Sequence, residues 1–333
     1  MRRGPVILTV LSLMILTACA KPGATFPPEQ GSAEATPTPT IIRLPMGFVA
    51  NVQFAPVYVA VEKGYFAQEG IELEFDYSWE TDGVRLVGSG ELPFAIASGD
   101  QVLLARAKDL PVLTFLNWWQ RFPVSVVALE ESGIQKPSDL TGRKLGTPET
   151  FGASYIGWRA LAVANGLTDQ DVQLEVIGYT QLANLTEGRV DAAVVYANNE
   201  PVQLDQMGYG FVEFPVADYA LLVSNGLISN EKTLEAQPEL VRAFARAFLK
   251  GLEDTLNDPH AAFEICKDYV EGLEENEEAQ RAVMEASLDY WRAEPLGRSD
   301  PEAWKNTVEV MQDADLLKEQ VDSDQAFTND FLP

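Results

Sequence analysis

The sequence holds one histidine, His260, and two cysteines, Cys19 and Cys266, in 333 residues. No His/Cys zinc cluster can be assembled from that stock, so no metal is expected. Any imidazole chemistry would rest on His260 alone. It follows Asp258-Pro259 at a helix start, which makes it a surface residue rather than a base in a site. Basic side chains are also scarce: 24 Lys and Arg stand against 50 Asp and Glu, a formal charge of -26. A surface of that sign repels phosphate backbones, so nucleic acid is not an expected partner. No apolar run reaches the roughly 18–20 residues a membrane-spanning helix needs. No Gly-x-Ser-x-Gly elbow and no Walker A sequence occur, and Gly88-Ser89-Gly90-Glu91-Leu92-Pro93 lacks the third glycine of a dinucleotide fingerprint. What is present builds a core. Hydrophobic residues make up 46% and aromatics 10% of the chain, at a length that suits about two domains.

The first residues read as a processing signal. Arg2 and Arg3 precede an apolar run from Val6 to Leu16, too short to span a bilayer but right for a secretory signal. The run ends in Leu16-Thr17-Ala18-Cys19, which resembles the bacterial lipobox. That resemblance implies removal of residues 1–18 and lipidation of Cys19. Residues 19–40 then form a tether rich in Pro, Thr, Ser and Gly without periodicity. A lipid, a tether and a globular body together describe a monomer held on the outer face of the cytoplasmic membrane. Cys266 lies in a helical pattern with Ala262, Phe263, Tyr269 and Val270. It reads as a small core residue with no disulfide partner.

From Ile41 onward strands and helices alternate. Ile71–Tyr77 places Ile71, Leu73, Phe75 and Tyr77 on one face and Glu72, Glu74 and Asp76 on the other, a half-buried strand. Ala55-Pro56 suits a helix start and Gly64 its end. The repeated order argues an α/β protein with parallel sheets covered by helices. Two such sets occur in sequence. The chain crosses between them near Phe122–Leu129 and again near Tyr219–Ile228, and two crossings make a hinge. The expected lobes are 41–125 plus 225–333, and 126–224. The helices after Pro238 are expected to cover the first lobe.

Ligands of such sheets bind beyond the carboxyl ends of the strands, against helix N-termini. The loops there carry Asn51, Gln53 and Phe54; Trp79, with Glu80 beside it; Asp100; Trp119 and Gln120; Phe151, with Tyr155 one turn on; Tyr196, Asn198 and Glu200; and Asn225. Arg121 is the one cation among them. Anionic ligands would want more positive charge or a bare amide nest. Aromatic faces with Asn and Gln suit a flat heterocycle, stacked by its rings and read at its polar edge. Several of these residues have a plainer use. Trp118 and Trp119 are adjacent at a strand end and should point to opposite faces, so one is core. Trp79 either caps its sheet or faces the cleft. Asp100 could be a helix N-cap, and Glu200, before Pro201, an N-terminal helix carboxylate.

The stretch Ala55-Pro56-Val57-Tyr58-Val59-Ala60-Val61-Glu62-Lys63-Gly64-Tyr65-Phe66-Ala67-Gln68-Glu69-Gly70-Ile71 resembles the opening of substrate-binding proteins of ABC importers. The group it resembles binds thiamine-pyrimidine precursors, with relatives for sulfonates, nitrate and taurine. Pro137-Ser138-Asp139-Leu140-Thr141-Gly142-Arg143-Lys144-Leu145-Gly146 and Gly188-Arg189-Val190-Asp191-Ala192-Ala193 are similar to later segments of that superfamily. Phe94-Ala95-Ile96-Ala97-Ser98-Gly99-Asp100-Gln101 and Val195-Tyr196-Ala197-Asn198-Asn199-Glu200-Pro201 resemble its riboflavin-binding branch. The resemblance implies a two-lobe periplasmic-binding-protein fold of type II with the ligand between the lobes. It implies capture of riboflavin or a related flavin for a permease and its ATPase, without cofactor or catalysis. Two alternatives stay open: the same role for a thiamine pyrimidine precursor, and a surface-anchored enzyme acting on a heterocycle. The superfamily's pyrimidine-synthesising enzymes carry a Cys-rich motif and an active-site His, and neither is present here. An enzyme would need a titratable pair such as Glu80 and Asp100 facing one ligand.

Overall fold

The computed structural model describes residues 38–333. The signal segment, Cys19 and nearly all of the tether lie outside the described residues.

The chain begins with β1 (Thr40–Gly47), then α1 (Ala55–Glu62), a single turn α2 (Tyr65–Gln68) and β2 (Ile71–Trp79). The two strands pair in parallel, Thr40 opposite Ile71 and Leu44 opposite Phe75. Next come α3 (Glu80–Gly88), β3 (Ala95–Ser98), α4 (Gly99–Arg106) and β4 (Val112–Asn117). A second set follows: β5 (Val124–Leu129), β6 (Lys144–Thr147), α5 (Gly152–Ala164), β7 (Gln173–Val176), α6 (Gln181–Thr186), β8 (Ala192–Tyr196), α7 (Glu200–Gln206) and β9 (Phe211–Pro215). The chain returns through β10 (Asn225–Asn230) and ends in α8 (Glu231–Ala236), α9 (Pro238–Asn257), α10 (Pro259–Cys266), α11 (Glu277–Trp291) and α12 (Pro301–Asp313).

The sheets are not all parallel, which corrects the expectation from the alternating pattern: β1 and β2 pair in parallel, the three-stranded sheet pairs antiparallel and the five-stranded sheet is mixed. Their orders are β1-β2, β3-β10-β4 and β7-β6-β8-β5-β9. The reason lies in the two crossings. β5 enters the five-stranded sheet from the first set and runs antiparallel to both β8 and β9. β10 comes back and lies antiparallel between β3 and β4. A segment that arrives from the neighbouring sheet needs no right-handed crossover helix, so it is free to pair in the opposite sense. The strands between crossings, β6, β7 and β8, remain parallel.

The late helices do not cover the first set alone. α9 packs on α1 so closely that a Cβ at Gly251 would lie 2.2 Å from the Pro56 carbonyl oxygen. Only glycine permits that approach. Cys266, on α10, is buried and free, among the apolar side chains of the same core. Further on, α11 packs against α7, and Ser287 accepts a 2.8 Å hydrogen bond from Asn198 Nδ2. α12 lies against both α4 and α5. Its Trp304 is fully buried and stacks on Phe327, and its Thr307 accepts from the Val223 amide at 3.1 Å. The buried stripe of α12, Ala303, Trp304, Thr307, Val308 and Met311, is the face that meets both neighbours.

One apolar core runs without interruption from Val84, Ala95 and Leu103 to Val124, Leu145 and Trp158, and includes Trp304 and Met311. A second core joins β1, α1, Trp118, Phe248 and Trp291. Each large side chain buried in these cores contributes about 1.5–3 kcal/mol relative to exposure. His260 is exposed on α10, as its position after Asp258-Pro259 indicates. No helix among the described residues is long and apolar enough to cross a membrane.

Candidate functional site

Four strands end where four helices begin. β2 runs into α3 at Trp79 and Glu80, and β3 into α4 at Ser98 and Gly99. β6 leads through Pro148–Phe151 into α5, and β8 through Ala197–Asn199 into α7. Residues at all four junctions line one cleft of about 430 Å³, within the usual range of roughly 300–1,000 Å³ for small-molecule sites. Gly99 is needed at this crossing, because a Cβ there would fall 2.2 Å from Val223.

The floor is aromatic and packed. Trp118 and Trp119 both line the cleft, yet they are only 1% and 3% exposed. Trp118 touches Phe54, Phe248 and Trp291 at ring separations of 6.0, 5.6 and 5.6 Å. Trp119 meets Tyr196 edge-on at 6.2 Å and Trp291 at 5.7 Å. The expected split, one tryptophan in the core and one in the cleft, does not occur. β4 ends at Asn117, so the alternation that separates neighbouring side chains no longer applies to these two.

The mouth is aromatic and open. Trp79 is 62% exposed and Phe151 50%, and both reach the cleft. Phe48, after β1, and Tyr179, before α6, lie edge to face across it at 5.7 Å. Neither was singled out from the sequence. Phe48 follows a strand, and Tyr179 sits in a short loop whose direction is set only by the fold.

Between floor and mouth stand three carboxyl groups, those of Glu80, Glu149 and Glu200. Glu80 is the first residue of α3 and accepts a hydrogen bond from the Ser98 amide. Burial pushes its carboxyl up, and the neighbouring Asp100 charge adds to the effect. Glu200 is the first residue of α7 and accepts from the Tyr196 amide at 3.0 Å. Burial pushes its carboxyl up to about 7, although its backbone hydrogen bonds pull the other way. Glu149 is raised by burial as well. Burial likewise pushes the Tyr196 phenol well above the ordinary range, so it stays neutral. Helix N-termini attract anions. At the strand ends before α4 and α7 the chain's own carboxylates take up the amides of Ser98 and Tyr196, while the first turn of α5 has no side-chain cap. Among the described residues no Lys, Arg or His lines the cleft. Arg121, the cation among the expected loops, pairs with Asp218 at 2.6 Å and lies over the Tyr290 ring.

Of the residues expected from the sequence, Gln53, Phe54, Trp79, Trp119, Phe151, Tyr196, Glu200 and Asn225 line the cleft. Five sit behind its walls instead. Asn51 caps the turn at Val52–Phe54 by accepting from the Gln53 amide. Asp100 is buried and accepts from Gln101 Nε2 at 2.9 Å. Gln120 donates to the Asn117 carbonyl. The Tyr155 hydroxyl donates to Asp169. Asn198 is fully buried and donates to Ser287. Thr81, Ser98, Gln101, Ser154, Gln181 and Asn199 complete the polar lining. Among the described residues no group of three His, Cys, Asp or Glu side chains could hold a metal ion.

Compared with known proteins, residues 51–262 match the NMT1/THI5-like family. The chain belongs to that family. It is 39% identical to the riboflavin-binding protein RibY of Chloroflexus aurantiacus, over 98% of this chain and 97% of that one. It is 29% identical to the formylaminopyrimidine-binding protein of Halalkalibacterium halodurans, over 99% of both. A 4-amino-5-hydroxymethyl-2-methylpyrimidine phosphate synthase of Legionella pneumophila is more distant, 25% identical over 88% of this chain and 92% of that one. Among solved structures, the periplasmic aliphatic sulphonate binding protein SsuA of Escherichia coli superposes with a TM-score of 0.71 at 13% identity, covering 86% of this chain and 92% of that one. The NMT1/THI5-like chain described here thus has the two-lobe fold of periplasmic binding proteins, with the cleft where the strands of both sets end.

Proposed function

We propose that this chain is the solute-binding component of an ABC importer that captures riboflavin or a related flavin outside the cytoplasmic membrane. The observation that carries the reading is the cleft itself. It offers aromatic faces from both walls, amides and carboxylates between them, and no cation. The isoalloxazine ring is flat and uncharged, and its faces suit Trp79, Phe151 and Tyr179. Stacking of this kind is worth about 0.5–1.5 kcal/mol per ring pair beyond the burial of area. The ribityl hydroxyls are donors, and carboxylates are acceptor-only groups that receive them. The 39% likeness to a riboflavin-binding protein over almost the whole chain supports the same ligand.

In this reading the lobes, 41–125 with 225–333 and 126–224, close on the ligand by bending at the two crossings. The closed form, held to the membrane through Cys19 as a monomer, docks on a permease, and an ATPase drives release. The protein does not transform its ligand. Asp100 is buried behind the lining, so the pair of Glu80 and Asp100 that an enzyme reading would call on does not face one ligand. A pyrimidine precursor is the second reading, favoured by the 29% likeness to the formylaminopyrimidine-binding protein.

Titrating purified protein with riboflavin while following flavin fluorescence tests the proposal. Quenching that saturates at micromolar ligand is expected. No quenching there, with tight binding of a formylaminopyrimidine instead, would move the assignment to the second reading.

A further inference from the structure

Phosphorylated and unphosphorylated forms of a vitamin share the same ring and differ at one end by a dianion. A binding protein that takes both needs a cation or free backbone amides for that end. Among the described residues the cleft has no cation, and the uncapped amides it does offer, those of Gly152, Ala153 and Ser154 at the start of α5, follow directly on the loop that carries Glu149. Its lining among the described residues contains no Lys, Arg or His. The Ser98 and Tyr196 amides, at the ends of β3 and β8, already donate to Glu80 and Glu200. Arg121, the cation in the loops expected at the cleft, is engaged by Asp218.

Glu149 differs from the other two carboxyls. It lies on the loop between β6 and α5, half-buried on the wall opposite Glu80. Its carboxylate neither accepts a hydrogen bond from the protein nor pairs with a cation among the described residues. It lines the cleft together with Glu80 and Tyr179, and beside the effect of burial its charge helps raise both of them. A carboxylate left free in a cleft can accept hydroxyl or ring N–H donors from a ligand, and it repels any ligand anion.

We propose that the cleft selects against phosphorylated ligands and that Glu149 is the specificity-determining residue for this rejection. The proposal rests on the flavin reading and deepens it: the cargo is the free vitamin, and riboflavin 5′-phosphate is excluded by charge. Rejection by an unpaired like charge is a common route to selectivity, because juxtaposed like charges cost several kcal/mol.

The test compares riboflavin with riboflavin 5′-phosphate by fluorescence quenching at pH 8. The phosphate is expected to bind about a hundredfold more weakly, the fold-change that like charges about 6 Å apart produce at a partly buried site. In Glu149→Gln the ratio of the two dissociation constants is expected to fall about tenfold, and in Glu149→Lys further still. Equal affinities in the unaltered protein would overturn the charge selection while leaving the flavin reading standing. A preserved hundredfold ratio in both variants would overturn the role of Glu149. Failure of riboflavin itself to bind would remove both the selection and the flavin reading.

Discussion

The floor and the mouth of the cleft are built from the same residue types and are held in opposite ways. Trp118 and Trp119 are locked among Phe54, Phe248 and Trp291 and expose almost nothing. Trp79 and Phe151 stand half out of the protein with no comparable packing. An aromatic ring already buried contributes to folding and offers a ligand only its remaining edge. A ring still in water keeps its apolar area for whatever enters. The contrast separates stability from binding within one pocket, and four substitutions sharpen it.

The largest effect belongs to the floor. Trp118→Ala is expected to cost about 3–5 kcal/mol of stability, as large-to-small changes in packed cores do, read from denaturant unfolding. A loss below about 1 kcal/mol would mean that the floor is not part of the core.

Glu200 comes next and acts through pH. Its carboxyl titrates near 7 in the folded chain against about 4.5 in an exposed one. The folded state therefore holds this proton more tightly than the unfolded state does. Its contribution to stability is whole below about pH 4.5 and is lost as pH rises toward 7. The size is about 2 kcal/mol after allowing for partial solvation. Thermal unfolding midpoints should fall between pH 5 and 7, and Glu200→Gln should flatten that slope. An unchanged slope would place the titration elsewhere.

At the mouth, Phe151→Ala should leave stability within about 0.5 kcal/mol, as exposed substitutions do. It should weaken riboflavin binding by about 1–1.5 kcal/mol, roughly tenfold. Equal losses of stability and affinity would erase the distinction between floor and mouth. The smallest effect is expected from Arg121→Gln. Breaking its exposed pair with Asp218 should cost less than about 1 kcal/mol and leave ligand affinity unchanged. A clear loss of affinity would bring a cation back into the site.

Much of the architecture was readable because periodicity is a local property. The alternation of Ile71, Leu73 and Phe75 marks β2, and Ala55-Pro56 with Gly64 marks α1. Even the loops that meet at the cleft follow from the rule about strand ends. Sheet direction was not readable, since β5 and β10 look the same whether they pair parallel or antiparallel. Side-chain direction was the other gap. Tyr155 lies one turn into α5, and only the fold shows that it turns to Asp169 and not to the cleft. Asn198 and Asn199 are neighbours of the same type, yet one bonds to α11 and the other lines the site. Glu149, in a loop without periodicity, looks like any other acidic residue until the opposite wall is in place.

The position of α12 against both α4 and α5 has a practical consequence for engineering. Exchanging residues 126–224 for those of a relative, to graft a new preference onto this scaffold, would leave a foreign surface beneath Trp304 and Met311. Such a chimera must carry its donor's own terminal helix, or have that underside recut, before its altered cargo range can be measured on soluble material.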